Sequence, residues 1–170
     1  MDLEKSIRVV EDFPKKGISF KDISPLLYDP KTFNYALDEM AKLVKDLDFS
    51  LIVGPESRGF VFGAPLASKM NKGFVMARKK GKLPGEVISK TYTLEYNTAT
   101  IELPAFAIKK GTRVLLCDDL LATGGTLEAV RELIEQEGGV VVGAITLIEL
   151  NGLNGKANLK GLPYFSLLKL

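Results

Sequence analysis

The stretch Val114–Thr126 (VLLCDDLLATGGT) decides the fold class, because it joins an apolar run, a carboxylate pair and a glycine-rich turn. The apolar run Val114–Cys117 predicts a buried β-strand. Asp118 and Asp119 follow that strand, and the polar turn Ala122–Thr126 precedes a segment with helical spacing. A strand, a loop and a helix in this order are typical of α/β proteins with a parallel sheet.

Short apolar runs alternate with helical patterns on both sides of this stretch. The other predicted strands are Leu51–Val53, Phe74–Ala77, Val140–Leu150 and, at the end, Tyr164–Leu168. The predicted helices begin at Pro30 with Asp29 as the cap, cover Phe60–Met70, and run from Leu127 to Gly138. We therefore expect an α/β fold with a central, mostly parallel sheet flanked by helices and joined by right-handed crossovers.

The N-terminal segment departs from this alternation. Leu3, Ile7 and Val10 share one helical face, which predicts a short first helix that ends at Phe13-Pro14. Pro14–Leu27 has apolar residues without a period and is interpreted as irregular.

Two later segments also stand apart from the sheet and its helices. Val87–Leu103 alternates and is rich in Thr, Tyr and Ile, which predicts an exposed hairpin that turns near Asn97. The polar, glycine-rich segment Asn151–Gly161 predicts a surface loop.

Composition excludes several classes of function. The formal net charge of the 170 residues is only +2, so the overall balance does not favour nucleic-acid binding. The absence of histidine excludes Ser-His and Cys-His nucleophilic sites, and it leaves hard ions held by oxygens, such as Mg²⁺, as the possible metals. The one cysteine, Cys117, is interpreted as a core residue of a protein in a reducing compartment.

No stretch of the sequence predicts export or membrane attachment. The N-terminal MDLEKSIRVVEDFPKK is charged and lacks the apolar core of a signal peptide. The longest apolar stretch, Gly139–Ile148, is about half a membrane span. We therefore expect a soluble cytoplasmic protein without a membrane partner.

Candidate site residues follow three of the predicted strands. In open parallel sheets ligands bind beyond the carboxyl ends of the strands, so the loops after Val53, Ala77 and Cys117 should converge. Adjacent carboxylates such as Asp118 and Asp119 repel each other unless a cation or hydroxyl groups satisfy them, as Mg²⁺ or a ribose would. The ATGGT turn offers backbone N–H groups, hydroxyls and a helix N-terminus, which together suit a phosphate monoester.

Two further loops supply cations. Glu56-Ser57-Arg58 interrupts the chain after one strand, and Arg78–Lys82 places four cations in five residues after the next. Taken alone, such a charge run is most often a solvated face.

These motifs resemble those of a known family. VLLCDDLLATGGT resembles the 5-phosphoribosyl-1-pyrophosphate (PRPP) signature of type I phosphoribosyltransferases. Five other segments resemble the adenine phosphoribosyltransferases in order and spacing: DFPKKGISFKDISPLL (12–27), GPESRGFVFGAPLA (54–67), RKKGKLPGE (78–86), TYTLEY (91–96) and YFSLL (164–168). The resemblance implies the type I phosphoribosyltransferase fold as a single domain over residues 1–170. Residues 1–30 would contribute to a hood over the base, and the hairpin would be a flexible flap.

The implied activity is transfer of the 5-phosphoribosyl group from PRPP to N9 of adenine, which gives AMP and pyrophosphate in purine salvage. Asp118 and Asp119 would hold the ribose hydroxyls. The implied 5-phosphate ligands are Ala122, Thr123, Gly124, Gly125 and Thr126, and the implied pyrophosphate ligands are Glu56, Ser57, Arg58, Arg78, Lys79 and Lys82. Family members often have a non-proline cis peptide at the position between Glu56 and Ser57.

The remaining implied roles concern the base and catalysis. The residues implied at adenine are Ser19, Phe20, Lys21 and Leu147. Lys21 stands where relatives commonly carry arginine, and Phe20 and Leu147 are equally compatible with core packing. Glu95, Arg58 and Tyr96 are the implied catalytic residues, with Glu95 as proton acceptor in the flap. Glu95 also fits a solvent-facing edge position, and Tyr96 also fits a packing aromatic.

The resemblance further implies a magnesium ion bound through PRPP, with a possible water-mediated contact to Asp118 or Asp119. It implies a homodimer in which Arg78 reaches the neighbouring site, with adenine and PRPP as small-molecule partners and no nucleic acid. Two alternatives stay open. One is transfer to hypoxanthine, guanine, xanthine or orotate, and the other is a PRPP-sensing regulator without enzymatic activity.

Overall fold

The computed structural model describes residues 1–94 and 96–170, and its contacts divide the chain into two units, Met1–Glu39 and Met40–Leu170. The division falls within helix α2 (Pro30–Val44). As predicted, Asp29 caps this helix, because its side chain accepts a hydrogen bond from the Thr32 N–H at 3.1 Å.

The unit Met1–Glu39 contains a small antiparallel sheet. After a 3₁₀ turn at Glu4–Ser6, strand β1 (Arg8–Glu11) pairs with β2 (Ser19–Asp22), and the short helix α1 (Ser24–Tyr28) follows. The prediction of a short first helix was therefore wrong beyond the 3₁₀ turn, and so was the prediction that Pro14–Leu27 is irregular. Pairing with a strand eight residues further along outweighs the weak helical spacing.

An ion pair fastens the two strands of this unit. Two nitrogens of the Arg8 guanidinium donate to one oxygen of Asp22, at 2.9 and 2.6 Å. The other oxygen of Asp22 accepts from the Ser24 N–H at 2.9 Å, at the beginning of α1. Hydrogen bonds from Ser24, and then the charge of Arg8, hold the pKa of Asp22 below its usual value.

The unit Met40–Leu170 is an α/β fold built on a seven-stranded sheet in the order β5-β6-β4-β3-β7-β8-β9. The five strands from β4 to β9 in this order are parallel: β3 (Leu51–Pro55), β4 (Gly73–Lys79), β7 (Arg113–Leu121), β8 (Val140–Glu149) and β9 (Tyr164–Lys169). The predicted hairpin forms the antiparallel side of the sheet as β5 (Val87–Thr93) and β6 (Thr98–Pro104), but the prediction that it is exposed was wrong for Ile101–Leu103 of β6, which are buried because β6 lies between β5 and β4. The expected α/β class with a mostly parallel sheet is thus confirmed.

Two helices follow strands of this sheet, and a third is short. Helix α3 (Arg58–Lys69) follows β3, α4 (Gly125–Gln136) follows β7, and α5 (Gly155–Asn158) lies between β8 and β9. Val130, Leu133 and Ile134 of α4 are buried, as is Cys117 of β7, which confirms its place in the core. Burial, and then the nearby carboxylates, raise the pKa of the Cys117 thiol well above its usual value.

The segment Asn151–Gly161 is more than the predicted surface loop. It contains α5, and its residues Gly155 and Leu159 are buried. The sequence concealed this because a four-residue helix is too short to show a hydrophobic period. Within the described residues, none of the helices combines the length and the hydropathy needed to cross a membrane.

Candidate active site

The carboxylate pair lies inside strand β7 and not after it. Asp118 pairs in register with Thr146 of β8, and the pairing continues to Leu121 opposite Glu149. The prediction that the strand ends at Cys117 was therefore wrong, because β7 continues to Leu121 and β8 pairs with three of the four added residues. Successive side chains of a strand leave opposite faces, but the carboxyl groups of Asp118 and Asp119 are still close enough to interact.

The two carboxyl groups have different surroundings. Asp119 is 3% exposed, and its Oδ2 lies 3.2 Å from Nε of Arg58, although it makes no hydrogen bond within the described residues. The pair therefore attracts by charge without a directional hydrogen bond. Asp118 is half-buried and accepts a hydrogen bond from the Asp119 N–H at 2.8 Å. Burial, and then repulsion from Asp119, raise the pKa of Asp118 well above its usual value.

The glycine-rich turn leads into α4 through a left-handed residue. Gly124 has φ +84° and forms the N-cap of the helix, which begins at Gly125. Only glycine adopts this conformation without strain. The Gly124 carbonyl accepts a hydrogen bond from the Glu128 N–H at 3.0 Å, which closes the first turn of the helix.

The predicted loops after β3 and β7 meet at one cavity of 260 Å³. Its lining consists of Pro55, Glu56, Ser57, Arg58 and the run Asp118–Leu127. Two glycines allow this close approach, since a Cβ on Gly54 would lie 2.8 Å from the Gly59 carbonyl oxygen. A Cβ on Gly59 would lie 3.1 Å from the carbonyl oxygen of Cys117. The Glu56–Ser57 peptide is cis, as the resemblance led us to expect.

Glu56 fastens the basic loop, Arg78–Lys82, to the loop after β3. Its Oε1 accepts a hydrogen bond from the Lys79 N–H at 2.7 Å and lies 3.3 Å from Nε of Arg78. The Arg78 guanidinium also lies over the Phe60 ring, 5.9 Å from its centroid. The loop after Ala77 therefore meets the loop after β3, as predicted. The side chain of Arg78, however, contacts Glu56 and Phe60 of its own chain.

A second cavity of 490 Å³ lies between the basic loop and the hairpin. Lys79 and Lys80 line it on one side, and Tyr92, Leu94 and residues of β6 line it on the other. Lys80 was not among the predicted pyrophosphate ligands, whereas Arg78 and Lys82, which were, line neither cavity. A charge run alone gives no sign of which of its members faces a cleft.

Sequence reasoning missed Glu102, a buried carboxylate that joins the basic loop to the hairpin. Glu102 is 6% exposed, and its two oxygens accept hydrogen bonds from the Gly81 N–H at 2.7 Å and the Ser89 hydroxyl at 2.8 Å. The register places it opposite both Arg78 and Ser89. Its only signal in the sequence is a charged residue between the apolar residues Ile101 and Leu103.

The hairpin also touches the phosphate-binding turn predicted from the sequence. The hydroxyl groups of Tyr92 and Thr126 lie 3.3 Å apart, and both residues line the second cavity. Tyr96 is 91% exposed, so it is not a packing aromatic in this structure. The predicted proton acceptor, Glu95, lies outside the described residues.

Comparison with known proteins agrees with this geometry. The family model described as "Phosphoribosyl transferase domain" matches residues 34–165. The chain is 54% identical to the adenine phosphoribosyltransferase of Mesomycoplasma hyopneumoniae strain 7448, over 100% of this chain and 98% of that protein. It is 55% identical to the one of Alkaliphilus metalliredigens, over 99% of each. The chain belongs to the adenine phosphoribosyltransferase family.

Solved structures of the family have the same fold. The adenine phosphoribosyltransferase of Thermoanaerobacter pseudethanolicus matches with a TM-score of 0.97 and 49% identity, over 99% of this chain and 98% of that one. The enzyme of Saccharomyces cerevisiae, complexed with an imino-altritol bisphosphate and adenine, matches with a TM-score of 0.90 and 36% identity, over 97% and 96%.

The residues that the family resemblance implied at the base lie in both units. Ser19, Phe20 and Lys21 belong to β2, where the Ser19 hydroxyl donates to Glu11 at 3.0 Å and Lys21 donates to Ser19 at 3.1 Å. Phe20 makes an edge-to-face contact with Phe13, with the ring centroids 5.2 Å apart. Leu147 lies in β8 and is fully buried. Their joint role at adenine stays a prediction.

Proposed function

We propose that this member of the family transfers the 5-phosphoribosyl group of PRPP to N9 of adenine, through the cavity lined by Arg58 and Asp118–Leu127. The products are AMP and pyrophosphate, and the reaction belongs to purine salvage. The observation that carries the residue assignment is that one cavity combines a carboxylate pair, a glycine-rich helix N-terminus and an arginine. These are the groups that a phosphorylated ribose with an anionic leaving group requires.

The ribose 5-phosphate end of PRPP would bind in the 260 Å³ cavity. Backbone N–H groups and hydroxyls of Ala122–Thr126 would hold the 5-phosphate, with the helix dipole of α4 adding attraction. Asp118 and Asp119 would accept hydrogen bonds from the ribose hydroxyls. A neutral Asp118, which its raised pKa favours, would also be able to donate one.

The pyrophosphate end would lie toward the loops that Glu56 joins. Arg58, Arg78, Lys79 and Lys82 would offset the negative charge that grows on the leaving group, and Ser57 would donate a hydrogen bond. Glu56 itself would act by holding the Arg78–Lys79 backbone, since its carboxylate already accepts the Lys79 N–H. Lys80 joins the proposed set because it lines the second cavity beside Lys79.

Bond formation and bond cleavage both occur at C1 of the ribose. N9 of adenine forms the new bond to C1 while the bond from C1 to the pyrophosphate oxygen breaks, through a transition state that resembles an oxocarbenium ion. Glu95 accepts the N9 proton, and Tyr96 closes over the site from the flap, where closure excludes water from the reactive sugar. No covalent enzyme intermediate is needed.

Adenine would stack on Phe20, with backbone groups of Ser19–Lys21 reading its edge, and the predicted contact with Leu147 would require that fully buried side chain to become accessible. Stacking of a base on an aromatic side chain contributes about 1–3 kcal/mol in other nucleic-acid contexts. Lys21 offers a point charge and not the planar fork of an arginine, so its contribution to recognition would be smaller.

The residues present fit a magnesium ion that arrives with PRPP. Asp118 and Asp119 offer carboxylate oxygens, and Oδ2 of Asp119 has no hydrogen-bond partner among the described residues. No group of three or more acidic, cysteine or histidine side chains that could hold a metal by itself occurs in residues 1–94 and 96–170. When bound, Mg²⁺ would neutralise part of the charge on the PRPP oxygens.

The proposal extends to the assembly. Residues 1–170 would act as one domain with residues 1–30 as a hood over the base, in a cytoplasmic homodimer. Arg78 would then exchange its contact with Glu56 for the neighbouring site. Its guanidinium forms a partly exposed ion pair with Glu56 at 3.3 Å, and such pairs contribute little to stability.

A panel of bases tests the activity. Purified protein is incubated with PRPP, Mg²⁺ and one of adenine, hypoxanthine, guanine, xanthine or orotate, and nucleotide is measured by chromatography. We expect AMP from adenine and no comparable product from the others. Product from another base alone would overturn the adenine assignment, and PRPP binding without any product would favour a regulator.

Replacement of the flap carboxylate tests the mechanism. Glu95→Gln should lower kcat by about 10²–10⁴-fold, the usual contribution of a general base. Glu86→Gln is the matched control, because Glu86 is an exposed glutamate just before the hairpin. Equal turnover of the two variants, with chemistry shown to be rate-limiting, would remove Glu95 from the mechanism.

A further inference from the structure

The segment around α5 lies directly against the outer side of the turn Ala122–Gly125. The side chain of Asn158 donates a hydrogen bond to the Thr123 carbonyl at 2.5 Å. Gly155 approaches so closely that a Cβ on it would overlap the carbonyl oxygen of Ala122. A Cβ on Gly124 would in turn lie 2.8 Å from the Gly155 carbonyl oxygen, so neither glycine tolerates a side chain.

These contacts account for the direction of three successive carbonyl groups. The Ala122 carbonyl faces Gly155, the Thr123 carbonyl accepts from Asn158, and the Gly124 carbonyl accepts from Glu128 within α4. In a planar trans peptide the C=O and the N–H of the next residue point in opposite directions. The N–H groups of Thr123 and Gly124 therefore point away from α5, and the N–H group of Gly125 points away from the body of α4.

The side away from α5 is the cavity side, since Thr123, Gly124 and Gly125 all line the 260 Å³ cavity. Among the described residues the structure records no acceptor for these three N–H groups. A peptide that turned over would place a carbonyl oxygen, with its partial negative charge, where a phosphate oxygen has to bind.

We propose that Asn158 and Gly155 are positioning residues for PRPP, which hold the carbonyls of Ala122 and Thr123 outward so that the adjoining N–H groups face the 5-phosphate. The inference rests on the proposed binding of the 5-phosphate at Ala122–Thr126. It assigns a role in substrate binding to a segment that contributes no residue to the lining of the cavity.

Asn158→Ala tests this role, with Lys156→Ala as the matched control. Both residues are exposed and lie in α5, but Lys156 lines other cavities. Binding of ribose 5-phosphate and of pyrophosphate is measured separately by calorimetry, and KM for PRPP and kcat are measured with adenine. Losing a neutral hydrogen bond should weaken ribose 5-phosphate binding and raise KM for PRPP by roughly 3- to 10-fold, with kcat and pyrophosphate binding unchanged.

Several results would overturn the inference. One is unchanged ribose 5-phosphate binding in Asn158→Ala, and another is an equal loss for ribose 5-phosphate and pyrophosphate, which a general loss of structure would produce. Gly155→Ala is the second variant. If it folds, as judged by circular dichroism, we expect a larger loss of ribose 5-phosphate affinity than in Asn158→Ala, and full affinity would contradict the inference.

The same experiments distinguish a failure of the proposed function from a failure of the positioning role. If wild-type protein makes no AMP but binds ribose 5-phosphate in a manner that depends on Asn158, the positioning role stands and the activity is wrong. If wild-type protein makes AMP and the substitution changes nothing, the activity stands and the positioning role is wrong.

Discussion

The glycine-rich turn and the basic loop would supply the two ends of the same proposed substrate site, but they are built differently. The turn Ala122–Thr126 uses consecutive residues and mainly their backbone, at the beginning of one helix. The basic loop Arg78–Lys82 is also contiguous, but carboxylates from other parts of the sheet, Glu56 after β3 and Glu102 in β6, hold it in place. Each segment can be recognised from its motif, whereas the distant groups that hold it in place cannot.

Arg58 lines the cavity of the glycine-rich turn and pairs with the buried Asp119, so its removal should have the largest effect. Arg58→Ala takes away the cation beside Asp119 and the proposed pyrophosphate ligand, and kcat/KM should fall by about 10²–10³-fold. Arg113→Ala is the control, because Arg113 is an equally exposed arginine (45%) that is paired with Asp48. Steady-state kinetics with varied PRPP measure kcat/KM for both variants. A comparable fall in kcat/KM in both would refute the role of Arg58.

The two glycines of the turn should respond differently to replacement by alanine. Gly124→Ala should lower the free energy of unfolding by about 1–3 kcal/mol, because the residue has φ +84° and its Cβ would meet the Gly155 carbonyl. Gly125→Ala should change stability by less than about 0.5 kcal/mol, since the nearest atom to its Cβ is 3.9 Å away. Urea denaturation measures both, and equal destabilisation would contradict the structure.

Glu102 tests whether side chains hold the basic region. Glu102→Ala leaves the Gly81 N–H and the Ser89 hydroxyl without their acceptor, which should cost about 1–3 kcal/mol of stability. It should also weaken pyrophosphate binding more than ribose 5-phosphate binding, since the basic loop loses a direct hydrogen bond and the turn Ala122–Thr126 does not. Glu102→Gln keeps one acceptor and should be milder. An equal loss of both ligands in calorimetry would erase the distinction between the two regions.

The smallest expected effect is the dependence of protein stability on pH that arises from Asp118. The folded pKa of Asp118 is raised, so the folded state binds this proton more tightly than the unfolded chain does. The stabilisation is therefore complete below the unfolded pKa of about 3.9 and is lost as pH rises through the folded pKa. Asp118→Asn has no such proton, so wild-type stability should fall relative to this variant as pH increases.

Denaturation curves at several pH values measure this effect. Asp48→Asn is the control, because the side chain of Asp48 is 89% exposed. A wild-type protein that gains stability relative to Asp118→Asn as pH rises would contradict the raised pKa.

The strengths and the errors of the sequence predictions follow the same distinction. Long periodic elements such as α2 and α4, and the alternation of Val87–Leu103, were predicted correctly because their spacing is a local property. The failures came where partners distant in sequence decide the structure. β1 and β2 form because they pair with each other, and β7 continues through Asp118 and Asp119 because β8 pairs with it.

The sequence by itself determined the α/β class, the glycine-rich turn before α4 and the family, because these depend on the kind and spacing of neighbouring residues. The tertiary structure decided which groups support that turn and the basic loop. Asn158 and Gly155 meet the turn only because the segment after β8 returns to it, and Glu102 meets Gly81 only through the sheet register. Such contacts depend on how strands are paired and chain segments are brought together, which no local pattern of residues encodes.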